Sequence, residues 1–92
     1  MTNRIAIKLP DADTIIDLGF GLSLVHVKRV TGSLFDLITA DVLTPEADEP
    51  LPVTYNVGEA NVILHDWFKL ADWQEREYIR LAVRRFVLGC AA

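Results

Sequence analysis

Apolar and polar positions change their period once along this chain, near residue 57. Before that point the apolar runs are short, β-branched and cut by turn residues, which is the pattern of strands. Ile5-Ala6-Ile7-Lys8-Leu9 alternates large side chains with small or charged ones and stops at Pro10, so it reads as a short first strand. Asp11-Ala12-Asp13 is a turn, Thr14 to Leu18 a weaker extra strand, and Gly19-Phe20-Gly21 punctuates the chain before Leu22 to Val30, a segment rich in Val and Leu. Thr31-Gly32 then separates this strand from the apolar stretch 34–43, and a hairpin pairing 22–30 with 34–43 follows. The competing reading makes Ser33 an N-cap with Asp36 three residues on, and 34–43 a helix.

Thr44 to Pro52 carries three prolines and three acids and is expected as an exposed loop. Val53 to Val57 is β-like. Asn56 stands three positions ahead of Glu59, the spacing of a capping box, which predicts a helix starting there. At 100° per residue, Ala60, Ile63, Leu64, Trp67, Phe68, Leu70 and Ala71 share one side of it. Asp72 and Glu75 repeat the spacing, so a second helix begins at Asp72 and stops at Gly89; one continuous helix over 58–88 is the alternative. The sum is a single α+β domain over 1–92, with a small antiparallel sheet of three to five strands packed against two C-terminal helices.

Composition sharpens this picture in one respect. Hydrophobic residues make up 51% of the 92, a large share for a chain whose size allows only one thin core. No apolar run approaches the 18 residues of a membrane span, and the N-terminus lacks the apolar stretch of a signal peptide, so a cytoplasmic protein is expected. A single cysteine, Cys90, suits a reducing compartment. The apolar surplus concentrates in 60–88. Trp67, Phe68, Leu81, Val87 and Leu88 exceed what a small sheet can cover and are expected at a self-association face, with a homodimer the commonest solution.

Charge is uneven too. Residues 1–50 hold 4 basic and 8 acidic residues, against 5 and 5 in 51–92, and nothing basic lies between Val30 and Val53. Asp36, Asp41, Glu46, Asp48 and Glu49 there form a candidate partner-binding face that repels nucleic acid. In the last helix Arg76, Arg80 and Arg84 fall on an i, i+4, i+8 row with Trp73 one turn earlier, a second candidate face suited to carboxylates or phosphates. The plain alternative is a solvated helix whose charges follow its dipole.

Catalytic chemistry finds no foothold in the pattern. His65-Asp66 is half of a metal-binding pair, but further His and Asp ligands would be needed, and His26 is the only other histidine, expected beside Lys28 on the exposed side of its strand. Ser23 and Ser33 sit in no nucleophile elbow, and Gly19-Phe20-Gly21 lacks the third glycine of a phosphate loop. Neither enzyme activity, metal nor cofactor is expected. The leading expectation is a non-catalytic, dimeric protein-binding module, of the type of the small accessory or inhibitory proteins of phages and mobile elements. The alternative is a nucleic-acid-associated regulator using Arg76, Arg80, Arg84 and Arg85.

Overall fold

The computed structural model describes residues 6–91, and in it five strands run as an antiparallel meander followed by one helix. The strands are β1 (Ile16–Gly19), β2 (Leu22–Thr31), β3 (Asp36–Leu43), β4 (Leu51–Asn56) and β5 (Asn61–Leu64), each hydrogen-bonded to the next. The helix α1 (Trp73–Gly89) follows a short 3-10 turn at Trp67–Lys69. The α+β class and the hairpin of β2 with β3 are as the sequence predicts, with Val30 opposite Leu37 and Leu24 opposite Val42.

Period-two patterning decides the sheet's inner face. Leu22, Leu24 and Val27 on β2, Ile38, Ala40 and Val42 on β3, Leu51, Val53 and Tyr55 on β4, and Val62 and Leu64 on β5 are all buried in one cluster. Ile79, Val83 and Val87 of α1 cover that face, and Leu70 closes it between the sheet and the helix. Each such side chain removed from water stabilises the fold by about 1.5–3 kcal/mol.

Three expectations are corrected. There is one α-helix among the described residues and not two, because 61–64 pairs with β4 as an edge strand. Asn56 does accept a hydrogen bond from the Glu59 amide at 3.1 Å, as in a capping box, but it closes a hairpin turn that ends at Ala60 with φ +53°. The first strand reduces to one antiparallel bridge, Ile7 with Ala91, alongside a Lys8 amide bond to the Cys90 carbonyl; Ile5 lies outside the described residues. Val87, placed at a self-association face, is only 2% exposed. Its spacing of four from Val83 rotates it by about 40°, so it stays on the stripe that Ile79 begins.

The curled sheet brings both of its outer strands to α1. The Tyr78 hydroxyl donates to the Leu18 carbonyl in β1 at 2.5 Å, and the Arg80 Nε donates to the Val62 carbonyl in β5 at 3.3 Å. The β1–β2 turn has positive φ at Phe20 (+53°) and Gly21 (+78°), as a primed two-residue hairpin demands. Gly19, at φ +88°, lies where an added Cβ would come within 2.8 Å of the Tyr78 hydroxyl. Gly19→Ala should therefore cost about 1–3 kcal/mol in urea unfolding through backbone strain and that clash. Tyr78→Phe alone should cost about 1 kcal/mol. In the double variant the clash disappears and the strain remains, so the two costs should sum to more than the double variant shows.

Candidate functional site

A groove of about 600 Å³ runs between β5 and the first two turns of α1, walled by Ile63, Trp67 and Trp73 and floored by Arg76 and Arg80. Asp72 starts α1 by accepting from the Gln74 amide at 2.8 Å, and this fixes where Trp73, Arg76 and Arg80 leave the helix. Trp67, Phe68 and Trp73 are 53%, 66% and 64% exposed. Trp67 and Phe68 meet edge to face at 6.3 Å between ring centres.

Charge enters this groove through two arginines in different states. The Arg76 guanidinium lies over the Trp67 ring, 4.9 Å from its centre, and its Nε is buried with no hydrogen-bond partner. Arg80 is already engaged, by Glu77 at 2.6 Å and by the Val62 carbonyl. The groove also borders an open sheet edge. His65 donates its amide to Pro52, and by the alternation of an antiparallel ladder the Val62 and Leu64 backbone groups then point away from β4.

The candidate residues divide accordingly. Trp73, Arg76 and Arg80 come together at the groove with Trp67, while Arg84 lies one turn beyond Arg80 on α1, exposed, and Leu81 and Leu88 line the helix's free side. The arginine row does not act as one basic stripe, since two of its three members are turned to Trp67, Glu77 and Val62. The acidic residues do not form one face either. Asp36 sits in β3 in a bidentate pair with Arg29, and this bond holds the Arg29 guanidinium above its ordinary pKa. Asp41, also in β3, bonds His26 at 2.9 Å on the outer face of the sheet. Glu46, Asp48 and Glu49 are exposed in the loop after β3, with Glu49 3.8 Å from Lys69.

Sequence reasoning missed one assembly. The chain's two histidines, His26 and His65, lie far apart in sequence but line the same shallow hollow of about 330 Å³ on the sheet's outer face, with Lys28, Thr39, Asp41 and Thr54. The signal was the strand register, which only the pairing of β4 with β5 completes. Among the described residues no three His, Cys, Asp or Glu side chains converge as metal ligands, and no helix is long and apolar enough to cross a membrane. Burial raises the Cys90 thiol pKa, which makes it less nucleophilic. No protein-family model, curated protein or solved structure matches the chain.

Glu46 offers a test of how the acidic loop meets α1. A hydrogen bond shared with Glu75, then repulsion from Glu75, a little desolvation and repulsion from Asp72 raise the Glu46 pKa, while Thr44 donates to Glu75 at 3.0 Å. A carboxyl whose folded pKa is raised favours the fold below the ordinary carboxylate range and loses that contribution as pH rises through the raised value. Glu46→Gln should therefore increase the melting temperature at pH 7, and the gain over the parent should vanish on acidification below the carboxylate range.

Proposed function

We propose that the chain is a non-catalytic protein-binding module that holds an extended, acidic segment of another protein in the groove between β5 and α1. The observation that carries this reading is Arg76, preset on the Trp67 ring with a buried, unpaired Nε beside two uncovered tryptophans. Leaving a buried donor unpaired costs about 1–3 kcal/mol, and an entering carboxylate removes that cost while forming a charge-assisted bond. Tryptophan and arginine together are the residues that dominate binding energies at interfaces. The open edge of β5 adds backbone groups that an extended segment can pair with, Arg80 releasing the Val62 carbonyl as it does so. An accessory or inhibitory role, of the phage or mobile-element type, is the use that fits the size and acidity of the chain by analogy alone. A cytoplasmic setting fits its single thiol.

Tryptophan fluorescence should respond to a short peptide of alternating Glu and Val and not to its Lys counterpart. Trp73→Ala and Arg76→Ala should each weaken that peptide by about tenfold or more, with α1 helicity by circular dichroism unchanged. Equal response to both peptides, or to neither, removes the reading. A duplex oligonucleotide that moves the same signal, with affinity falling steeply with salt, would favour the nucleic-acid regulator instead.

Self-association through the free side of α1 belongs to the same proposal. Leu81 and Leu88 stand two turns apart there with more than half of each side chain exposed, and Trp67 and Phe68 flank the helix start. Light scattering at micromolar concentration should give about twice the 10.3 kDa of one chain. Leu81→Glu should return it to the single-chain mass. A monomer for the parent protein removes the dimer and leaves the groove untouched.

A further inference from the structure

We propose that the outer face of the sheet carries a binding site for a phosphoryl group, formed by Lys28, His26, Thr39, Thr54 and His65. These residues come from β2, β3, β4 and the end of β5 and line one hollow on the side of the sheet away from α1.

His26 is the most informative of them. It sits at φ +57° in a bulge of β2, where the register to β3 shifts between Val25 and Lys28. Left-handed backbone at a non-glycine residue costs about 1–3 kcal/mol, and bulges re-aim side chains. Here the bulge turns the imidazole outward to Asp41, whose carboxylate can only accept, so His26 donates from Nδ1 at 2.9 Å. That bond fixes the ring and leaves Nε2 for a ligand.

The other side of the hollow is arranged in the same way. His65 Nε2 and the Thr54 hydroxyl share a hydrogen bond of 2.7 Å, which holds that ring against β4 and leaves its Nδ1. Thr39 lies directly between, opposite Lys28 on one side and Thr54 on the other. Lys28 makes no ion pair among the described residues. The hollow thus gathers an ammonium, two oriented imidazoles and two hydroxyls around a single carboxylate that is already engaged, within a chain of net charge −4. The Lys28 ammonium and the Thr39 hydroxyl donate, the Thr54–His65 pair supplies one more donor whichever way its shared proton lies, and the His26 Nε2 lone pair accepts from a protonated phosphoryl oxygen, a mixed set that suits the terminal oxygens of a phosphoryl group and offers little to an apolar ligand.

The ring signals of His26 and His65 in carbon–proton correlation spectra, recorded at fixed pH and ionic strength, test the site with inorganic phosphate as the probe. Both histidines should shift together and saturate with one dissociation constant. Lys28→Ala should weaken binding about tenfold, and Trp73→Ala should leave it unchanged, which separates this site from the groove. His26→Gly should keep the protein folded, because glycine relieves the backbone strain, and should still abolish the shift at His65. A nucleoside 5′-monophosphate and a phosphoserine peptide distinguish the source of the group. Tighter binding of either over phosphate assigns a small metabolite or a modified protein and supports the site. Shifts that chloride reproduces at equal ionic strength, shifts at one histidine only, or indifference to Lys28→Ala overturn it.

Discussion

One helix has to cover five strands, and the remaining features of the fold follow from how it does so. Its 17 residues span about 25 Å, and a flat sheet of this width would leave inner-face residues in water at both margins. The sheet curls instead, so that its outer strands β1 and β5 both reach α1. Tyr78 and Arg80, two residues apart on α1, each donate to a backbone carbonyl of one of those strands, Leu18 and Val62. The side chains that seal the core margins therefore also occupy hydrogen-bonding positions on the sheet edges, where unpaired groups invite aggregation. The bridge of Ile7 to Ala91 ties the segment before β1 to the residues just past the helix.

The parts of this arrangement that were legible in the sequence are those set by local chemistry. Turn residues around Gly32 mark the β2–β3 hairpin, and Pro45 and Pro50 mark the loop before β4, which the expectation of a loop to Pro52 overran because Leu51 and Pro52 already pair with β3. Asp72 marks the start of α1 through a side-chain cap made to the Gln74 amide and not to Glu75. Residues 59–71 misled because two periods fit them. Ala60, Ile63, Leu64, Trp67 and Phe68 lie on one helical face, yet Val62 and Leu64 also alternate with Asn61, Ile63 and His65. What decides between them is not local: a helix there would leave β4 as a bare edge, with Tyr55 uncovered on one side, and pairing with β5 satisfies both. The Asn56 side chain serves either outcome, since a cap on an amide three residues on is common to helix starts and tight turns.

That local choice also governs the candidate sites. As a helix, 59–71 would have placed His65 and Asp66 on a solvated polar side with nothing near them. As a strand it carries the chain past β4, brings His65 onto the sheet's outer face beside Thr54, and frees Trp67 and Phe68 from any covering surface. The apolar surplus is accordingly uneven. The buried core takes up many of the chain's Val, Ile and Leu, while three exposed aromatic residues, Trp67, Phe68 and Trp73, lie between the last strand and the helix start, beside the arginine whose Nε is unpaired.

Strand β5 is the hinge of this division, and four residues suffice for it because successive side chains point to opposite faces. Val62 and Leu64 fill the core, and their backbone groups form the edge along the groove. Ile63 and then His65 face outward, and His65 is held in register by its own amide bond to Pro52. Pro52 can take this place because β5 is ending there, so a missing backbone donor costs at most one bond. The outer face stays polar where it meets the hollow and the edge stays aromatic where it meets the helix. A slip of one residue in the β4–β5 register would exchange the two, burying His65 and exposing Leu64. The apolar demand of the core therefore holds β5 in register, and with it the separation of an imidazole-lined hollow on one side from a tryptophan-walled groove on the other.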